Sequence, residues 1–512
     1  GKRRRGRTIL NNVCKIIGPP GTGKTTTLLR LVEEQLAEGR EPDRIGYFSF
    51  TRKATTEAIE RACKKFQLEK KNLKWFRTLH SLAYQWLGCS HTDIIQKQDF
   101  KDFYNEYGVD ISGAIKTDDV VAGEEDEGLH LIDLYRVKNS SLEEEFRKYG
   151  HVKGGLQRLQ RIDKAYRMFK KQRGVRDYTD LITEFNRIDQ SPRLDIIIVD
   201  EVQDLKPNEW QMVQVMMKQA KATYLAGDDD QAIYSWSGAD VSKLIDLDCH
   251  LQVLNQSYRI PKTIFAKSNN LVTKIKKRID KEWQPRKEEG QVRSTNFDSI
   301  DLNNGEWLIL GRTNYYINEI AKELKNKGFF YEKNNYSSIN NEVATAYRAW
   351  VALQRGEEIP CSHVKFLYQY MPVGKDGVSR GNKMLVGADM EALYSYETLT
   401  KEWGLNIPLE TSWEVALQRI PESDRNYIRH ILRSGHDLDE KAKIKLSTIH
   451  GAKGGESQNV ILFSDISKRI NDNMWVNRDD ERRVFYVGMT RAKENLYIVP
   501  STSPYEFEEI LR

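Results

Sequence analysis

The chain reads as an α/β protein of two parallel-sheet domains, each interrupted by a mainly helical insertion. Short apolar, β-prone runs at 13–17, 45–48, 196–199 and 223–226 each spill into a polar or glycine-rich turn followed by a helical segment. That is the rhythm of buried parallel strands joined by helices. It restarts at Trp307-Leu308-Ile309-Leu310 and resumes at 443–446, 460–463 and 495–499, while residues 83–160 and 336–441 lack it. A length of 512 residues also exceeds the roughly 250–300 at which single cores stop growing.

Composition narrows the class. The apolar fraction is 39% and the mean hydropathy −0.65, which indicate a charge-rich surface. No apolar run approaches the roughly 20 residues needed to span a bilayer, and no hydrophobic core follows the basic residues at the start as a signal peptide requires. A cytoplasmic, nucleoid-associated or, for a viral source, host-cytoplasmic protein with no membrane partner is expected. Five cysteines without CxxC or zinc-type spacing suggest neither a disulfide framework nor a metal cluster. A net charge of +6 permits nucleic-acid binding without demanding it.

Taken in order, the arm Gly1-Lys2-Arg3-Arg4-Arg5-Gly6-Arg7 is either a phosphate contact or a solvated tail. The strand at 13–17 runs directly into Gly18-Pro19-Pro20-Gly21-Thr22-Gly23-Lys24-Thr25, a P-loop pattern, with a helix expected over 26–36. Glycines there let backbone N–H groups turn around a phosphate chain at a helix N-terminus. Lys24 reaches the β and γ phosphates and the Thr25 hydroxyl ligates Mg²⁺. ATP with Mg²⁺ is the expected ligand pair.

Strand-like pieces at 44–50 and 76–82 place Phe50 and His80 just past strand ends, where they can face a bound strand. The insertion that follows is charged and helical, with Glu124-Glu125-Asp126-Glu127 read as a solvated loop. Arg176-Asp177-Tyr178-Thr179-Asp180-Leu181 leads a helix back to the sheet. The strand at 196–199 then ends in Asp200 and Glu201, an acid to hold Mg²⁺ and an acid to deprotonate the attacking water. After the next strand, Gln231 sits where an amide can sense the γ-phosphate. Tyr234 and Trp236, two apart, are expected to present rings on one side of an extended segment.

These segments resemble the UvrD/Rep/PcrA family of superfamily 1 DNA helicases. The resemblance rests on GPPGTGKTT, FSFTRKATTEAIERA, FRTLHSLAY, RDYTDL, IIVDEVQDLKPNEWQ, LAGDDDQAIYSWSGAD, LNQSYR, LILGRTN, STIHGAKGGESQNVILF and RRVFYVGMTRAKENL, in family order across both α/β domains. It implies two RecA-like P-loop domains, 1–82 with 161–256 and 257–335 with 442–512, and accessory insertions at 83–160 and 336–441. ATP would lie between the domains, with single-stranded DNA translocated 3′ to 5′ and single/double-strand junctions as the substrate.

Carried over by position, the resemblance gives Lys24, Glu201, Gln231, Arg259 and Arg491 to catalysis. Gly18, Pro19, Pro20, Gly21, Thr22, Gly23, Lys24, Thr25 and Thr26 hold the nucleotide with Tyr258 on adenine and Glu456 on ribose. Thr25 and Asp200 hold Mg²⁺. Phe50, Thr51, His80, Tyr234, Trp236, Thr448 and His450 fall at DNA-contacting or coupling positions. The chain departs from the family where Thr26 and Ser237 replace frequent arginines and where Gly455-Glu456-Ser457 replaces Leu-Glu-Phe. A short second insertion and an end soon after Arg491 fit a compact member. Two other readings stay open: a translocase that strips proteins from DNA without unwinding, and a non-catalytic DNA-binding scaffold.

Overall fold

A computed structural model describes residues 10–50, 52–111, 126–149, 152, 154–436, 438 and 442–512, so the basic arm and Thr51 lie outside the described residues. The chain forms two compact units. One takes residues up to Ser294 with Lys453–Glu456 and Ser464–Arg512, and the other takes Thr295–Ala452 and Ser457–Phe463.

The first unit is built on six strands, β1 (Leu10–Ile17), β2 (Ile45–Phe48), β3 (Phe76–Arg77), β4 (Ile196–Val199), β5 (Ala222–Gly227) and β6 (Cys249–Val253). Their order is β3-β2-β4-β5-β1-β6, and every neighbouring pair is parallel. Side-chain alternation explains the all-apolar runs. Ile17, Phe48, Ile197, Val199 and Leu225 pack on one face with Leu181, Ile182 and Met212, whereas Ile16, Tyr47, Ile196, Ile198 and Ala226 pack on the other with Leu28, Val32 and Ala58. Both faces are buried, so no polar alternation is tolerated.

Two expectations shift. The piece at 76–82 is not one strand: β3 stops at Arg77, and Thr78 caps the helix Leu79–Trp86 by accepting from the Ser81 N–H at 3.3 Å. Thr78 supplies the hydroxyl cap that a frayed helix start needs, so His80 lies in a helical first turn. Of the acidic run taken as a solvated loop, Glu124 and Glu125 lie outside the described residues, while Asp126 and Glu127 begin the helix Asp126–Val137.

The first insertion is helical as expected and is anchored by charge. Arg136 donates to both oxygens of Asp177 at 2.9 Å and to Asp180 at 2.6 Å, and Lys170 Nζ reaches the same two carboxylates at 2.6 and 2.5 Å. Asp177 also caps the helix Tyr178–Ile188. That helix carries Leu181, Ile182 and Phe185 into the sheet core, so the ion network ties insertion to sheet.

In the second unit, Tyr336–Ser337, Tyr331–Lys333, Ile444–Thr448, Trp307–Gly311 and Ser457–Phe463 are successive neighbours, antiparallel in the first pair and parallel thereafter. Its insertion packs the helices Asn341–Gln354, Cys361–Tyr370 and Glu422–Arg433 around fully buried Trp350. Trp350 satisfies its indole N–H on the Thr411 carbonyl at 3.0 Å. Among the described residues no helix is long and apolar enough to cross a membrane.

One buried cluster pins the end of β5. Asp228, Asp229 and Asp230 are fully buried, and their carboxylates lie close enough together to hold a cation. The cation they hold is the Lys281 ammonium, at 3.0, 2.5 and 2.9 Å. Arg278 adds a two-pronged pair to Asp230 at 3.0 and 2.6 Å, and the Ile279 N–H donates to Asp229 at 2.7 Å. Burial pushes the Lys281 ammonium towards neutrality, but the three carboxylates outweigh it and hold the group above its usual range. Lys281→Met removes the ammonium shared by three buried acids, of which Asp230 alone keeps Arg278, so a loss of about 3–5 kcal/mol in urea unfolding is expected, with Asp229→Asn in the same chain restoring part of it.

Candidate nucleotide and nucleic-acid site

The P-loop leaves β1 at Gly18, whose N–H donates to the Gly227 carbonyl of β5 at 2.9 Å. Gly21 and Gly23 take φ of 73° and 76°, a region that L side chains avoid, and Gly23 then caps the helix Lys24–Ala37. At Gly21 space is short as well: a Cβ would lie 2.3 Å from Arg259 Cβ. The segment 257–259 presses on the loop, with Tyr258 N–H on the Gly21 carbonyl at 2.8 Å and Ser257 Oγ on the Pro20 carbonyl at 2.7 Å. Pro19, Pro20 and Thr22 are buried, and Thr22 Oγ1 donates to the Pro19 carbonyl at 2.8 Å. Thr25, half-buried, is the second residue of the helix, and exposed Thr26 follows it.

Lys24 meets the acids from β4. Its Nζ lies 2.6 Å from Glu201 Oε1 and 3.6 Å from Asp200 Oδ1. Burial alone would lower the ammonium's affinity for its proton, but Glu201 and then Asp200 raise it above the ordinary range. For Asp200, burial dominates and pushes the carboxyl up to about 6. Burial pushes Glu201 the same way, but Lys24 and then Lys453 overcome it and bring the group down to about 2. Glu201 is therefore an ionised carboxylate, and its side chain keeps 29% exposure. Its backbone is left-handed, φ 58°, a cost that turns the side chain back towards Lys24.

Gln231, Arg259, Glu456 and Arg491 come together in the same unit. Gln231 Nε2 donates to Asp228 at 2.7 Å and its Oε1 accepts from Arg491 Nη2 at 3.2 Å. Arg259 pairs with Glu456 at 2.5 Å, and Tyr258 is 75% exposed, leaving its ring free to stack. Arg491 is only 2% exposed, and its guanidinium donates to the Val487 and Gly455 carbonyls as well as to Gln231, all uncharged acceptors. Burial, reinforced by the like charge of Arg259, brings it down to about 9. Among the described residues no carboxylate lies within ion-pair distance of the Arg491 guanidinium, a condition that a polyphosphate relieves. The donor set also suits Mg²⁺: the Thr25 hydroxyl and the Asp200 carboxylate are hard oxygen ligands.

The aromatic residues form a second surface. Phe50, 44% exposed, stacks on Tyr234 with ring centroids 5.7 Å apart and planes 23° off parallel. Lys453 links that surface to the acids: its Nζ caps the Tyr234 ring at 4.9 Å, donates to the Gln231 carbonyl at 2.9 Å and pairs with Asp204. The expectation of an extended Tyr234–Trp236 segment is corrected. Ser235–Ser237 is a 3₁₀ turn closed by Gly238 at φ 98°, and the two rings meet edge-on at 6.3 Å and 61°. His80 packs edge-on to Tyr178 at 6.0 Å and borders a cleft of about 190 Å³ with Phe50, Thr78 and Lys206. Burial lowers its pKa, against the opposing pull of the Glu209 carboxylate.

Thr448 and His450 belong to the second unit. Thr448 ends the strand Ile444–Thr448 and accepts from the Gly451 N–H at 3.1 Å, and half-buried His450 lies in the turn beyond. Sequence reasoning passed over Gln203, Lys281 and the amine of Lys453. Gln203 lies in the buried turn Val202–Asp204 and Lys281 between exposed Asp280 and Glu282, and neither carries a sequence signal that separates it from its neighbours.

The chain matches the model of the UvrD/REP helicase N-terminal domain over residues 2–252 and that of the UvrD-like helicase C-terminal domain over residues 421–503. It is 25% identical over 307 residues to DNA helicase II of Haemophilus influenzae, covering 54% of this chain and 40% of that protein. Against the ATP-dependent DNA helicase PcrA of Staphylococcus aureus it is 24% identical over 274 residues, 50% of this chain and 37% of that one. A probable DNA helicase of Mycoplasma pneumoniae is 23% identical over 528 aligned residues, 96% of this chain and 80% of the other. The first of these relatives is thus matched over about two fifths of its length. With its P-loop, paired acids and arginines assembled as described, and with N-terminal and C-terminal family models matched in order, the chain belongs to the UvrD-like helicase family.

Proposed function

We propose that this protein is an ATP-dependent DNA helicase that moves 3′ to 5′ along single-stranded DNA and separates strands at junctions during replication, repair or recombination. The observation that carries the reading is the gathering of Lys24, Asp200, Glu201, Gln231, Arg259 and Arg491 within one unit, beside the stacked Phe50 and Tyr234 rings. The proposed division remains two RecA-like domains, 1–82 with 161–256 and 257–335 with 442–512, and insertions at 83–160 and 336–441.

Each residue has a task in that reading. Backbone N–H groups of Gly21 and Gly23 and the start of the helix at Lys24 receive the phosphates, and Tyr258 and Glu456 hold base and ribose. Lys24 exchanges the Glu201 carboxylate for phosphate, which frees Glu201 to take a proton from water. Mg²⁺ held by Thr25 and Asp200 supplies charge neutralisation at the phosphates. Arg259 and Arg491 stabilise charge developing on the γ-phosphate, and Gln231 detects whether it is present. Because Gln231 and Tyr234 lie three residues apart and Lys453 touches both, loss of the γ-phosphate is felt at the aromatic surface. In this reading Phe50, Thr51, His80, Tyr234, Trp236, Thr448 and His450 contact the DNA strand.

Arg491→Ala is expected to retain ATP binding by fluorescent-analogue titration and to lose about 10³–10⁵ in turnover. Near-normal steady-state hydrolysis by that variant contradicts the assignment. A base on an aromatic face contributes about 1–3 kcal/mol. Trp236→Ala should therefore lower DNA-stimulated hydrolysis more than basal hydrolysis, and equal losses would make Trp236 a packing residue. The direct test is strand displacement on duplexes carrying a 3′ or a 5′ single-stranded tail. Unwinding from the 3′ tail is expected; unwinding from the 5′ tail alone reverses the polarity, and none from either leaves a translocase that strips proteins.

A further inference from the structure

Gln203 has no task in the scheme above, yet it is fully buried between the two loops that hold the reactive groups. It lies in the 3₁₀ turn Val202–Asp204, directly after the left-handed Glu201. Its Nε2 donates to Glu201 Oε2 at 2.5 Å, with a longer contact to Asp204 Oδ2 at 3.3 Å, and its Oε1 accepts from the Asp228 N–H at 3.1 Å. Asp228 in turn accepts from Gln231 Nε2 at 2.7 Å, and Gln231 Oε1 accepts from Arg491 Nη2 at 3.2 Å. The hydrogen bonds run without a break from Glu201 to Arg491.

The opposite strand makes room for this amide. A Cβ on Gly227 would lie 2.4 Å from Gln203 Oε1 and 3.3 Å from its N. Gly227 has an ordinary negative-φ backbone, so what glycine supplies there is space. A buried amide with donor and acceptor both engaged is fixed in rotation, because turning it over would set like partners against each other. It therefore fixes one oxygen of Glu201 and leaves the other, Oε1, facing Lys24.

We infer that Gln203 is a positioning residue: it aims the Glu201 carboxylate and ties that aim to the loop carrying Gln231. The inference rests on the reading of Glu201 as the group that accepts a proton from water. An amide that only filled space would give a loss independent of Glu201. One that acts through Glu201 gives a loss that disappears once Glu201 can no longer accept a proton.

The test is a double-mutant cycle in the full chain, with turnover measured from labelled ATP and a dT oligonucleotide as the DNA. Glu201→Gln alone should lose about 10²–10⁴ in kcat. Gln203→Met, of similar length and without hydrogen bonds, should lose about tenfold in kcat with KM for ATP within about twofold, and should add nothing in the Glu201→Gln background. Gly227→Ala, which crowds the same amide from β5, should give a smaller kcat loss that is likewise absent in Glu201→Gln. It carries the test if Gln203→Met fails to fold by circular dichroism. Full loss persisting in the Glu201→Gln background, or no loss in the wild-type background, overturns the positioning role while leaving Glu201 as the base. Normal turnover by Glu201→Gln overturns both.

Discussion

The site is organised on an ion cluster in which the Lys24 ammonium sits between the Asp200 and Glu201 carboxylates. Removing such charges from water costs several kcal/mol each, and mutual pairing repays that only when the partners are held close. The sheet does the holding. β1 and β4 flank β5 on either side, so the P-loop and the two acids leave strand ends one strand apart on the same edge of the sheet. Because a P-loop needs left-handed glycines and β4 needs an all-apolar run, the constraint extends back into the primary structure of both. The cluster is also replaceable: phosphate can take the place of a carboxylate on Lys24, which makes a stable resting arrangement into a receptive one.

Around this centre the molecule uses polar groups to connect loops that apolar packing cannot connect. Lys281 and Arg278 fix Asp228, Asp229 and Asp230 from a segment about fifty residues downstream. Lys453 bridges Asp204, the Gln231 carbonyl and the Tyr234 ring, so acid loop, sensor loop and aromatic surface share one ammonium. A change of charge at the phosphates has short, stiff paths to the residues proposed to grip a base.

The readable parts were those where chemistry fixes local spacing. The P-loop was legible because glycines, Lys24 and Thr25 must stand at set intervals between a strand and a helix. Asp200 and Glu201 were legible because four buried aliphatic residues precede them. The alternation test failed at 76–82, since a two-residue strand and a capped helix share their apolar positions and only Thr78 marks the break. It failed again at Tyr234 and Trp236, where Gly238 closes a 3₁₀ turn that spacing alone cannot separate from an extended segment. Gln203 and Lys281 were invisible for another reason: their partners, Asp228 to Asp230, lie 25 and about fifty residues away, and only the folded chain brings them together.

The central claim is that a site for ATP and a surface for single-stranded DNA are coupled through the residues from Asp200 to Trp236. It is tested most directly by steady-state ATP hydrolysis of the unaltered protein titrated with a single-stranded oligonucleotide. The account predicts slow turnover without DNA and a rise of at least about tenfold on saturation, with the midpoint moving to higher DNA concentration as salt is raised. Turnover that is indifferent to single-stranded DNA at every salt concentration would contradict it.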